Sequence, residues 1–311
     1  MEIFAWITLG VIGFVILALL YYLVVGAILY HIVFSKKSLA SRIFRKDLDK
    51  AIKEYKIDLC WWEKYKFKKC TLKSFDDLTL VGHYFDSQAK KTVIVVHGFG
   101  QSYVEMQQYC KFFVEKNFNV LAVDNRAHGE SEGKSIGFGW TDRKDILSWI
   151  EYLNKQNPDN KIILFGLSMG GTTVCCASGE KLPKNVCAII SDCAFDNANR
   201  QIGHTMRKYK FVMVLFKKHL YSFAKRIHNF DIHEADIIKQ VKNSTVPILF
   251  IHGQADNTVL VDNMYNLYNA APQNLKDKYV VEEAKHAMSY PVAGVLYEKK
   301  ICDFLKSRTN I

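Results

Sequence analysis

Residues 161–171 read KIILFGLSMGG. The opening KIILF is an unbroken apolar run, as expected of a strand covered on both faces. Gly166-Leu167-Ser168-Met169-Gly170 then turns the chain, and residues 168–180 follow as a helix. Flanking glycines allow a turn too tight for side chains, and such a turn lifts the Ser168 hydroxyl above the strand ends. The N-terminus of the helix favours negative charge developing beside it. A strand, a tight turn and a helix form the context that separates a functional GxSxG from a chance match, so Ser168 is the candidate nucleophile.

The same alternation extends in both directions. Residues 67–74 and 78–86 read as two strands joined by an acidic turn at Asp76 and Asp77. Further strands are expected at 92–97 (TVIVVH), 119–124 (NVLAVD), 186–191, 246–252 (VPILFIH) and 278–282. Helices are expected at 103–116, 141–157 and 291–306. Strands alternating with helices predict an α/β fold with a mostly parallel central sheet and helices on both faces. Residues 195–243 are too long for a simple crossover and predict a helical lid, with one helix over 205–227 carrying Phe211, Met213, Val214, Leu215 and Phe216.

A serine nucleophile needs a base, and the base needs an orienting carboxylate. In this architecture they follow the serine in the order acid, then histidine. Asp256 stands in the loop after VPILFIH and His286 in the loop after the 278–282 strand, so both lie at carboxyl ends of strands. Asp192 also ends a strand, but it does not stand in the loop before the histidine loop. His204, His219, His228 and His233 fall in the insertion among basic residues, and His252 reads as backbone packing. The oxyanion that forms during acyl transfer needs two backbone N–H donors. Met169, next to the nucleophile, supplies one, and Phe99 in His97-Gly98-Phe99-Gly100 supplies the other. Residues 124–131 (DNRAHGES) read as a turn with an internal ion pair that braces the site, His128 included. His228, Asp231, His233 and Asp236 match no usual metal-ligand spacing. No metal or cofactor is required.

The chain carries a net charge of +11, but unevenly: +8 over residues 35–75, +7 over 200–242 and −4 elsewhere. The basic blocks carry no nucleic-acid-binding motif, and none is expected as a partner. Ahead of the first block, residues 3–34 contain no Asp, Glu, Lys or Arg. That length exceeds the roughly 20 residues a bilayer core requires. It is too long for a signal peptide and lacks the basic start that such peptides carry. It is apolar all round, unlike an ordinary surface helix. Lys36, Lys37, Arg42, Arg45 and Lys46 follow it and no Lys or Arg precedes it, so the body is expected on the cytoplasmic side, with the extracytoplasmic side as the alternative. The eight cysteines show no CxxC pair and read as core thiols of a reducing compartment, while their even number leaves disulfides open. The expected division is an anchor at 1–34, a basic juxtamembrane linker at 35–66, and a catalytic domain at 67–311 with a lid at about 195–243.

Together, HGFG, DNRAHGESEG, GLSMGG, VPILFIHGQAD and AKHA, in that order, resemble the α/β-hydrolase superfamily over residues 67–308. Within it the chain looks like membrane-anchored bacterial-type hydrolases related to esterases and to the acyl-peptidase-like group. The resemblance implies Ser168 as nucleophile, His286 as general base and Asp256 as its orienting acid, with Phe99 and Met169 supplying oxyanion donors. It also implies a cap after the sixth strand, here about 195–243. A serine at the turn argues against dehalogenase and epoxide hydrolase chemistry, which use an aspartate there. The expected reaction is hydrolysis of a small-molecule ester, with peptidase action on short acyl- or aminoacyl-peptides and a non-catalytic membrane scaffold as the competing readings.

Overall fold

The computed structural model describes residues 2–36, 38–57, 60–207, 210–228 and 231–309. The strands are β1 (Lys68–Lys73), β2 (Thr79–Phe85), β3 (Lys91–Val96), β4 (Asn119–Val123), β5 (Lys161–Leu167), β6 (Val186–Asp192), β7 (Ile248–Gly253) and β8 (Lys276–Val281). They form one sheet in the order β1-β2-β4-β3-β5-β6-β7-β8. The β1–β2 and β2–β4 pairs are antiparallel, and every later pair is parallel. The helices are α1 (Glu2–Phe34), α2 (Leu39–Glu54), α3 (Gln107–Glu115), α4 (Asp142–Gln156), α5 (Met169–Ala177), α6 (Ala198–Thr205), α7 (Lys210–His228), α8 (Ile237–Lys242), α9 (Asp262–Ala270), α10 (Ser289–Ala293) and α11 (Val295–Arg308).

The continuous apolar strands are covered on both faces, as their composition requires. Along β3, Val93 and Val95 join a core with Phe112 of α3 and Phe304 of α11. Ile94 and Val96 point the other way, into a core with Trp149 of α4, Val174 of α5 and Leu267 of α9. Tyr30, Val33 and Phe34 of α1 belong to this second core. The apolar N-terminal run is therefore one 33-residue helix with two environments. Its first two thirds are almost wholly exposed, and Gly26, Tyr30, Val33 and Phe34 are buried in the body. By length and composition it can cross a membrane.

Three expectations are corrected. The helix expected over 205–227 starts later, because α6 ends at Thr205 and α7 begins only at Lys210. Residues 208 and 209 between them, like Lys37 in the first basic block, lie outside the described residues, and so do the side chains of Met213, Leu215 and His228. The closing helix is split at Gly294, whose φ of +50° breaks it into α10 and α11. Residues 35–66 are more than a tether: they form α2 and a 3₁₀ turn that buries Trp61 against Tyr65, ring centroids 4.4 Å apart. Five of the eight cysteines are buried; Cys60 is exposed, and Cys187 and Cys302 are half-buried.

Candidate active site

Ser168 sits between the end of β5 and the first residue of α5, at φ +55° and ψ −115°. This is a strained conformation for a residue with a Cβ. Its amide donates to Asp192 O (2.8 Å), and its carbonyl accepts from Thr172 N (2.9 Å). Any Cβ at Gly166 would collide with the Gly170 carbonyl, and one at Gly170 with the Val96 carbonyl. Only glycine at both flanks lets the turn close against β3.

The structure brings Ser168, His286 and Asp256 together across three loops. Ser168 Oγ lies 2.9 Å from His286 Nε2, and His286 Nδ1 lies 2.7 Å from Asp256 Oδ2. The other Asp256 oxygen accepts from Thr258 N (2.8 Å) and Val259 N (2.9 Å). Burial alone would raise the Asp256 carboxyl, but the charge of His286 and the hydrogen bonds from His252 and His286 outweigh it. The group is held well below the ordinary carboxylate range and stays ionised. His252 takes part without having been expected to. Its Nε2 lies 2.8 Å from Val259 O and 3.3 Å from Asp256 Oδ2, so it braces the acid's loop. Asp192 is engaged elsewhere, accepting from Tyr297 Oη (2.9 Å) and Ser289 Oγ (3.2 Å).

The loop His97-Gly98-Phe99-Gly100 lies against the serine. A Cβ at Gly98 would come 3.3 Å from the Ser168 Cβ. Two histidines hold this loop. His97 Nε2 accepts from Asn125 N (3.0 Å), leaving Nδ1 to donate to Gly98 O (2.7 Å). His128 Nε2 accepts from Gly100 N (3.2 Å), and its Nδ1 donates to Arg126 O (2.9 Å). Burial pushes His97 down to about 4. Burial, helped by the neighbouring His97, pushes His128 down to about 3. Both rings are neutral braces. The expected ion pair of the 124–131 turn forms outside it: Arg126 makes paired bonds to Asp145 (2.6 and 2.7 Å) and to Asp76 (2.9 and 3.1 Å).

Phe99 and Met169 line one pocket with Ser168 and His286. Met169 begins α5, so its N–H has no acceptor within the helix. The pocket holds about 610 Å³ of empty space, part of it open to solvent. Its walls include Phe195, Ile202 and Met206 from the insertion, together with Phe138 and Val33. Val33 was missed in the sequence because a uniformly apolar run offers no sign that one of its turns faces a site. Cys193 Sγ, an Asp256 oxygen and a His286 nitrogen lie within 4.8 Å of one another. Burial holds the Cys193 thiol well above its ordinary range, so in the folded chain it is a neutral thiol. Both ring nitrogens of His286 are already engaged. Asp231 accepts from His233 N (2.9 Å) and pairs with Lys225, and Asp236 caps α8, so these two carboxylates serve local structure.

Residues 87–229 match the family model of the serine aminopeptidases, S33. The chain is 26% identical to the protein YqkD of Bacillus subtilis over 230 residues, 73% of this chain and 75% of that one. It is 24% identical to the protein YfhR of Escherichia coli over 228 residues, 70% of this chain and 71% of that one. Among solved structures, the Pyrococcus furiosus esterase Pf2001 superposes with a TM-score of 0.66 at 24% identity, over 79% of this chain and 94% of the esterase. The Pyrococcus horikoshii acylaminoacyl peptidase superposes with a TM-score of 0.58 at 18% identity, over 79% of this chain and 42% of the peptidase. At these identities the superpositions speak for the fold alone. It is the fold that the strand order and the β5–α5 turn already describe, and the chain has the α/β-hydrolase fold.

Proposed function

We propose that the protein is a membrane-anchored serine hydrolase that cleaves a carboxylic ester. Ser168 Oγ attacks the carbonyl carbon as His286 Nε2 takes its proton. Asp256 holds the imidazole in place and stabilises its positive charge. The N–H groups of Phe99 and Met169 hold the oxyanion. Collapse breaks the ester C–O bond, and the leaving alkoxide takes the proton from His286. Water then attacks the acyl-serine, gives a proton to His286, and the carboxylic acid leaves as Ser168 regains it. Ester and water become acid and alcohol with no other reactant.

One observation carries this reading: the unbroken chain of hydrogen bonds from Ser168 through His286 to an ionised Asp256, at the wall of an apolar pocket. The test is covalent labelling by a fluorophosphonate in membranes, with loss of both labelling and ester turnover in Ser168→Ala. Labelling that survives the substitution rejects the assignment.

A peptidase acting on acyl- or aminoacyl-peptides is the second reading, favoured by the S33 family model. Against its aminopeptidase form, no Asp or Glu is among the described residues lining the pocket to receive a free α-amino group. A matched panel of butyryl esters and acyl-peptide anilides separates the two.

In the same proposal residues 1–34 are the anchor and 67–311 the catalytic domain, with 195–243 as its lid, and the flanking charges place the body in the cytoplasm. Protease cleavage of the body in intact cells would overturn that topology.

A further inference from the structure

The anchor and the pocket share a wall. At about 1.5 Å per residue, the 33-residue α1 is about 50 Å long, against about 30 Å for a hydrocarbon core. The surplus is the part that docks. Gly26 packs so closely on Phe223 of α7 that a Cβ there would overlap the ring. Tyr22 O lies 2.9 Å from His219 Nε2, and Tyr30 Oη bonds to Ser135. Beyond these, Phe34 O accepts from Ile136 N (2.8 Å), Ser35 pairs with Ser135, and Lys36 Nζ donates to Gly129 O (2.9 Å) and Ser131 O (3.2 Å). Phe34 meets Phe138 (5.4 Å between ring centroids), and Phe138 meets Phe99 (5.5 Å). Val33, on the same last turn, faces the cavity that holds Ser168.

Taking Leu23 as the end of the hydrocarbon-spanning stretch, Val33 lies only about 15 Å further along the axis. Helix α7, against which α1 packs, adds Phe211 and Val214, 77% and 73% exposed. A water-soluble ester has no use for exposed apolar side chains on the helix that holds α1, nor for an α1 residue in the wall of a cavity that is itself apolar.

We propose that the substrate is a long-chain acyl ester of a bilayer lipid, which enters beside α1 and α7 and passes its chain along Val33 to Ser168. This rests on the serine-hydrolase reading and narrows it. The two acyl-transfer steps already given then release a fatty acid and a lipid alcohol.

The test uses the full chain reconstituted in phosphatidylcholine vesicles that carry monopalmitoylglycerol, with p-nitrophenyl butyrate as the soluble comparison. Wild type is expected to hydrolyse the vesicle lipid. Across a series of p-nitrophenyl esters kcat/KM should rise about fourfold per added methylene until the pocket is full, and Val33→Phe should end that rise at a shorter chain. Gly26→Leu, which forces α1 off α7, should cut vesicle-lipid turnover by about tenfold or more while butyrate turnover holds. Should Gly26→Leu fail to fold, the surface pair Phe211→Ser with Val214→Ser should give the same split. Butyrate turnover with no turnover of the vesicle lipid, no chain-length dependence, or variants that lower both activities alike, overturns the proposal and leaves the hydrolase reading standing. Loss of all ester turnover and of fluorophosphonate labelling in wild type overturns the hydrolase reading itself.

Discussion

The amide of Gly100 donates to Nε2 of His128 at 3.2 Å, so a neutral ring holds the loop that lies against Ser168. That ring stays unprotonated in the folded chain, because burial has pushed it down to about 3. Unfolded, it takes a proton near pH 6.5. The unfolded chain therefore binds more protons, and this group's contribution to stability falls as pH drops from about 6.5 toward about 3. At about pH 5, His128→Gln should retain about 2 kcal/mol more of its neutral-pH stability than wild type does. Asp145 and Asp192, both raised by burial to about 6, act in the opposite sense and cancel in the comparison. Urea midpoints of both proteins at neutral and acid pH check this, and equal losses would refute it.

The two carboxylates near the histidine should separate sharply. Asp256 bonds to His286 Nδ1, whereas Asp192 is held by Tyr297 and Ser289. Asp256→Asn is expected to lower kcat about a thousandfold or more, and Asp192→Asn to stay within about an order of magnitude of wild type. Initial rates on a soluble ester decide it.

Arg126 is buried between Asp145 and Asp76. Arg126→Met leaves the buried Asp145 unpaired and should cost about 3–5 kcal/mol. Adding Asp145→Leu should recover part of that loss, a coupling that two independent sites would not show. Thermal unfolding of the single and double variants measures it.

Phe34 is fully buried. Phe34→Ala should destabilise the body by about 3–5 kcal/mol in detergent. Were α1 only a tether, the substitution would leave the unfolding midpoint unchanged.

Much of this was legible before any coordinates. TVIVVH and KIILFG are runs that only a doubly covered strand tolerates, and GLSMGG between strand and helix predicted the turn at Ser168. Asp256 and His286 can be placed at neighbouring strand ends because strand ends can be counted. What escaped notice escaped for physical reasons. No glycine or proline marks the break between Thr205 and Lys210, so periodicity starts the second helix five residues too early. An all-apolar helix carries no face signal, so its docked turns were invisible. Arg126 reaches Asp145, 19 residues away, a pairing that only the tertiary fold determines.

A single antiparallel bridge from Ser35 to Ser135 ties the residue after α1 to the body. A shortened protein cut after residue 34 would keep the sheet, Ser168, Asp256 and His286, yet lack the side chains of Tyr30, Val33 and Phe34. It would carry a void in one core and a breach in the cavity wall. Rates taken from such a trimmed chain would describe a differently shaped cavity, and the familiar route of removing a hydrophobic leader to gain solubility would here remove part of its wall.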